Sequence, residues 1–233
     1  MKQYKIILLD VDGTLLDFDK AEEQGIGFLL RTYGVPETEE NKEAYQKLNQ
    51  SYWRRLERGE LTRDQVLCLR FEEFFGGFGL SVDGKETNRL FQQSLEQSAF
   101  CIEGAHELLK ALKGKYRLAV VTNGVAATKY KCLADSGLDS YMDWIFISEE
   151  AGSQKPQREF FEYCFERMGR RDVENMLIVG DSLTSDIKGG NAAGIDTCWF
   201  NPHEQPNTVG VHVDYEIRSL KELEQLLKET EPA

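Results

Sequence analysis

Asp10 and Asp12 stand two residues apart at the end of the apolar run Ile6-Ile7-Leu8-Leu9, and Gly13-Thr14 follows at once. In extended backbone, side chains at i and i+2 share a face, so a strand that persists through Asp12 would aim both carboxylates at one site. Like charges that close repel unless a cation or a shared proton relieves them. A hard divalent ion with oxygen ligands, Mg²⁺ in particular, is the natural partner. The same four residues are also ordinary turn chemistry after a strand, so the rest of the chain must decide between the two readings.

Three further clusters bear on that decision. Thr122-Asn123-Gly124 ends a second apolar run and opens a helix, so its hydroxyl and backbone N–H groups form a cradle for an anion. Helix capping alone would use the same residues. Gly180-Asp181-Ser182 ends a later run and adds a third carboxylate, with Asp186 one turn on as a ligand, an outer partner or a clamp on a lysine. Lys155-Pro156 brings positive charge to a chain poor in it, although by itself the pair is a loop entering a helix with Pro in its first turn.

Elements that end in such clusters have to be strands of one sheet. Helix-like and strand-like stretches alternate from Ile102 onward, with strands predicted at 117–122, 144–148, 175–180 and 197–200. Short apolar strands separated by helices give a parallel α/β sheet with right-handed crossovers, a Rossmann-like doubly wound core to which Ile6–Leu9 also belongs. Ligands in such sheets sit beyond the carboxyl ends of the strands, where the acidic and Thr-Asn-Gly clusters fall. From about Lys20 to Ser98 the pattern is helical without interruption, with helices ended near Gly34-Val35-Pro36 and Gly59 and a third capped near Thr62. The expected organisation is an α/β core of 1–16 and 99–233 with a helical-bundle cap of 17–98 inserted into it.

Taken in order, Asp10-Val11-Asp12-Gly13-Thr14-Leu15, Val121-Thr122-Asn123-Gly124, Lys155-Pro156 and Gly180-Asp181-Ser182-x-x-x-Asp186 resemble the four motifs of the haloacid-dehalogenase-like hydrolase superfamily. The resemblance spans essentially the whole chain, and the ordered set is far more specific than any one member. It implies Asp10 as nucleophile, Asp12 as proton donor and then base, and Thr122, Asn123, Gly124 and Lys155 around the phosphoryl group. It also implies Mg²⁺ held among Asp10, the backbone carbonyl of Asp12, and Asp181, with Asp186 in support or as a further ligand. An acid at Asp12 is similar to the phosphatase branch, whereas the dehalogenase branch lacks one there. The overall pattern resembles small nucleotidases acting on nucleoside monophosphates, including pyrimidine-preferring ones. A sugar-phosphate phosphatase or a phosphomutase with the same cap type is the alternative. The stretch 51–59, Ser-Tyr-Trp-Arg-Arg-Leu-Glu-Arg-Gly, offers side chains to stack on a base or, equally, to pack the cap. By the same resemblance Leu16 to Asp19 would be the hinge on which the cap moves.

Composition bounds what else the chain can do. A net charge of −12 in 233 residues argues against nucleic acid or an anionic membrane as the main partner. An anionic metabolite therefore needs positive charge gathered locally. The five cysteines are dispersed, with no Cys-x-x-Cys pair, and read as reduced thiols in a cytoplasmic protein. His106, His203 and His212 have no metal-binding spacing. Monomer and homodimer are both open.

Overall fold

The structure, a computed structural model, describes residues 3–169 and 172–229. The chain divides into two compact units, one of residues 1–17 with 100–233 and the other of residues 18–99. In chain order the elements begin with β1 (Ile6–Leu9), followed by four helices, α1 (Phe18–Thr32), α2 (Glu39–Glu57), α3 (Arg63–Gly76) and α4 (Gly84–Leu95). Then come α5 (Ala105–Leu112), β2 (Arg117–Thr122), α6 (Ala126–Asp135), β3 (Trp144–Ile147), the single turn α7 (Ser148–Ala151), α8 (Arg158–Met168) and β4 (Met176–Gly180). The chain continues through α9 (Lys188–Ala193), β5 (Asp196–Phe200), β6 (Tyr215–Ile217) and α10 (Leu220–Glu229).

The strands make one parallel sheet in the order β3-β2-β1-β4-β5-β6. Every residue of β1 and β4 is buried, as a strand covered on both faces requires. On one face Ile6, Leu8, Ala119, Val121 and Ile178 pack with Phe160, Phe161, Cys164, Phe165 and Met168 of α8. Ile7, Leu9, Leu118 and Val120 point the other way by the pleat and are equally buried, so a second layer covers that face. The chain builds outward from β1 to β2 and β3, then crosses back to place β4 on the other side of β1. That reversal puts the topological switch point, where such sheets take their ligands, at the carboxyl end of β1.

The helical unit has an aromatic centre. The Tyr45 ring stacks on Phe71 with centroids 5.6 Å apart, and Phe91 closes on Phe71 at 5.4 Å. Arg70 lies within this centre, its guanidinium 4.5 Å from the Phe71 ring centroid. Its Nη atoms donate to Asn49 Oδ1 at 2.6 Å and Asn88 Oδ1 at 3.0 Å. Thr62 caps α3 reciprocally with Gln65, as the Thr at that position predicts. Within the stretch 51–59, Tyr52 and Leu56 pack with Val66 in a small core with Trp53 and Leu48 against it, the Tyr52 hydroxyl donates to Glu73, and Arg55 covers the Tyr52 ring.

Three local features depart from the sequence reading. The strand does not run through Asp12. It stops at Leu9, and the Val11 carbonyl accepts from the N–H groups of Leu15 at 2.9 Å and Leu16 at 2.8 Å, curling the chain back on itself. Tyr215–Ile217 forms a sixth, edge strand too short to show alternation. Ser148 opens α7 instead of ending β3. The chain after β4 makes a π-helical turn over Leu183–Ile187, capped by Ser182, whose Oγ accepts from the Ser185 N–H. The thiols of Cys68, Cys101, Cys132, Cys164 and Cys198 form no disulfide. Among the described residues no helix is long and apolar enough to cross a membrane.

Candidate active site

Asp10 leaves the end of β1, its N–H bonded to the Val179 carbonyl of β4, so the switch point carries a carboxylate from the first residue past the strand. Thr122 ends β2 and Asp181 follows β4 directly. One carboxylate oxygen from each of Asp10, Asp181 and Asp186 lies within 4.8 Å of the others. The loop after β1 comes close enough to Asp181 that a Cβ at position 13 would stand 2.7 Å from its Oδ2, and φ there is +80°, which is why a glycine occupies it.

Lys155 is the centre of the polar network. Its ammonium donates to Asp10 Oδ1 at 2.6 Å, Asp186 Oδ1 at 2.6 Å and the Val121 carbonyl at 2.7 Å, which uses all three of its protons. The side chain is 2% exposed, so burial opposes its charge; the carboxylates of Asp10 and Asp186 outweigh that and hold the ammonium above the ordinary lysine range. Asp186 is itself clamped: its second oxygen accepts from the Ser182 N–H at 3.1 Å. Asn123 fixes the lysine's backbone with a reciprocal pair, Nδ2 to the Lys155 carbonyl and the Lys155 N–H to Oδ1, both at 2.9 Å. Its amide is thus bound to the Lys155 loop, while Thr122 Oγ accepts from the Gly124 N–H at 3.2 Å.

One lysine cannot satisfy this many acids. Burial pushes the Asp10 carboxyl up to about 7, against the pull of Lys155 and with the charges of Asp186 and Asp12 adding to it. Asp181 is raised as well, by the protein crowded round its carboxyl and then by the charges of Asp10 and Asp186. The residue keeps exposed surface, and water there moderates the part that burial contributes. Perturbed carboxyls clustered at the mouth of a sheet mark a functional site.

The sequence reading missed Lys129. Its Nζ sits 2.5 Å from Asp12 Oδ1, so the Asp12 carboxylate turns to this lysine and stays outside the three-acid group. Lys129 lies on the buried face of α6 with Thr128, Cys132 and Leu133. A lysine at an inward helical position just after Thr122-Asn123-Gly124 was the available signal. The histidines gather no metal-ligating group among the described residues.

A parallel sheet whose switch point holds clustered carboxylates around a buried lysine defines an α/β enzyme with an acid centre. The chain belongs to the haloacid dehalogenase-like hydrolase family, which it matches over residues 4–194. It is 44% identical to the HAD-hydrolase YfnB of Bacillus subtilis over 97% of both chains. It is 39% identical to the pyrimidine 5′-nucleotidase PynA of Streptococcus pneumoniae, over 94% of this chain and 93% of that one. With the pyrimidine 5′-nucleotidase YjjG of Escherichia coli it shares 35%, over 95% and 96% respectively. The crystal structure of YfnB, bound to magnesium, matches with a TM-score of 0.93 at 43% identity, covering 97% of this chain and 99% of that one.

Proposed function

We propose that the chain is an Mg²⁺-dependent phosphomonoester hydrolase that acts on nucleoside 5′-monophosphates through an aspartyl-phosphate on Asp10. The observation that carries this reading is the Lys155 ammonium bonded at once to Asp10 and Asp186 at the switch point of the sheet. Asp10 attacks phosphorus, the bond to the alcohol oxygen breaks, and Asp12 delivers a proton to the departing alcohol. Asp12 then takes a proton from the water that attacks the aspartyl-phosphate, which frees inorganic phosphate and restores Asp10. Dividing the hydrolysis this way replaces one high barrier with two lower ones. Lys155 neutralises charge on Asp10 and on the phosphoryl oxygens, and the Thr122 hydroxyl and the N–H groups at the start of α6 receive the remaining oxygens. Asn123 holds the lysine in place. The names of PynA and YjjG support the choice of nucleotides, and cysteines that form no disulfide favour the cytoplasm.

The donor set fits the ion. Among the described residues the ion pairs of Asp10, Asp12 and Asp186 are with the ammoniums of Lys155 and Lys129, which leaves an excess of negative charge over the four acids when all are ionised. All the ligand atoms are hard oxygens. Asp10 and Asp181, with the Asp12 carbonyl, would hold Mg²⁺, while Asp186 supports them through Lys155. The bound ion supplies charge neutralisation at the reacting phosphoryl group.

Two measurements follow. Purified protein with Mg²⁺, given pyrimidine and purine nucleoside monophosphates, sugar phosphates and phosphoglycolate, is expected to release inorganic phosphate with a kcat/KM at least ~10-fold higher for a pyrimidine nucleotide than for any sugar phosphate. An isomerised sugar phosphate without net phosphate release would move the assignment to a mutase. Because the Asp10 carboxyl keeps its proton to about pH 7, Mg²⁺ binding to metal-free protein displaces that proton. The apparent affinity then rises by at least about tenfold per pH unit from pH 5 to 7, and the raised Asp181 carboxyl adds to that rise. Calorimetry in two buffers of different ionisation enthalpy reads the released proton directly; an affinity flat across this range contradicts the metal site.

A further inference from the structure

A buried lysine on a helix face costs free energy unless it is paired, and Lys129 is only 6% exposed in its side chain. It lies on the inward side of α6, and its Nζ reaches Asp12 Oδ1 at 2.5 Å across 117 residues of sequence. The path of its stem is built into the backbone. A Cβ at position 124 would meet the Lys129 chain at 2.4 Å from Cε, 2.5 Å from Cγ and 2.8 Å from Cδ, so the lysine runs over the bare Cα of Gly124. The glycine of Thr122-Asn123-Gly124 thus makes room for a side chain of its own helix. Lys155 takes no part in this pair, because its three protons are committed to Asp10, Asp186 and the Val121 carbonyl. The two lysines divide the acids between them.

We propose that Lys129 is a positioning residue for the reaction: it holds the Asp12 carboxylate at the orientation from which Asp12 exchanges protons with the leaving alcohol and the attacking water, and Gly124 exists in part to let it through. This rests on the phosphohydrolase reading above. The curl of the chain after Leu9 gives the reason such a tether is needed. Asp12 lies past the end of β1, so the strand does not set the direction of its side chain, and its carboxylate is 26% exposed. An unfixed carboxylate loses the geometric advantage that makes proton transfer efficient.

The test is a kinetic double-mutant cycle on the nucleoside monophosphate that the wild-type chain hydrolyses best, with saturating Mg²⁺. Lys129→Met keeps the length of the stem, and Lys129→Gln, shorter and still hydrogen-bonding, guards against a folding defect in the first variant. Both are expected to lower kcat by ~10–100-fold with KM within about threefold, the mark of an interaction used in the transition state and not in substrate binding. In an Asp12→Ala background the same substitutions should cost less than about twofold, because a tether has nothing left to hold. Gly124→Ala, which pushes the lysine aside, should follow Lys129→Met. A rise in KM with unchanged kcat, or a loss that persists in full in the Asp12→Ala background, overturns the inference and makes Lys129 a direct contact to substrate. A wild-type chain that releases no phosphate from any phosphomonoester overturns the phosphohydrolase reading first, and the inference with it.

Discussion

Asp10→Asn is expected to lower phosphate release by about 10⁴-fold or more, and at the same time to make the metal-free protein harder to unfold above pH 7. The first half follows from the chemistry: an amide has no nucleophilic carboxylate oxygen to form the aspartyl-phosphate. The second follows from the electrostatics. Asp10 is buried beside Asp186 and Asp12, and its carboxyl is lifted to about 7 from an unfolded value of 3.8. A carboxyl whose folded pKa is raised supports the fold fully below the unfolded pKa, and that support is lost as pH climbs to the folded value. For Asp10 the window is about pH 4 to 7. The Asn variant has no such loss, and its Oδ1 can still accept from Lys155. The melting temperatures of the two proteins should therefore diverge with rising pH across that window, with the variant ahead, and run parallel above it. For a chain of this size each kcal/mol corresponds to about 2–4 °C. Thermal melts at pH 5, 6, 7 and 8 without metal read the divergence, and phosphate assays on the same samples read the activity. A variant that is both inactive and less stable at pH 8 would mean that Asp10 is structural.

Such a trade of stability for reactivity explains which parts of the site were legible in the sequence. Asp10, Asp181 and Thr122 could be placed because strands announce themselves as apolar runs and the residue after a run must lie at the sheet's carboxyl edge. Lys155 was visible as the positive charge that a chain of −12 needs somewhere and as a member of the ordered motif set. Its three-way bonding depends on the crossing of β1 between β2 and β4, which no local pattern carries. The direction of Asp12 was misjudged for a related reason. Period-2 reasoning holds while backbone stays extended, and the hydrogen bonds from Leu15 and Leu16 to the Val11 carbonyl end that stretch early. Lys129 was missed because a helix following a Thr-Asn-Gly turn offers the same reading whether its inward lysine is a partner or a surface group bent round. In the helical unit Tyr52 was ambiguous between base stacking and packing, and it packs: it is buried against Leu56 and Val66, and its hydroxyl donates to Glu73 of α3. The short edge strand Tyr215–Ile217 carries too few residues for any periodicity to register.

Lys155→Met should lower phosphate release by about 10³-fold or more and, unlike Asp10→Asn, destabilise the protein at every pH above 4. The two acids it bridges would then face each other without a cation, and the Val121 carbonyl would lose its donor. Removing one partner of a buried charge network leaves uncompensated charge and costs about 3–5 kcal/mol. Met fills nearly the same volume as the lysine stem, so a cavity is not the source of the loss. The deficit has a pH signature. Lys155 is the group that draws the Asp10 carboxyl downward; without it the proton stays on Asp10 to still higher pH, so the variant is least handicapped in acid, and its residual activity rises over a more alkaline range than that of the wild type. Lys155→Arg should not restore function, because a planar guanidinium cannot present three donors to Asp10, Asp186 and Val121 from one point. Mg²⁺ discriminates further. A cluster that has lost a resident positive charge gains more from a divalent ion, so added Mg²⁺ should raise the melting temperature of Lys155→Met by more than it raises that of the wild type. Urea denaturation with and without Mg²⁺, alongside the pH profile of the residual activity, measures each part. Equal Mg²⁺ stabilisation of both proteins would mean that the lysine and the metal do not share these carboxylates.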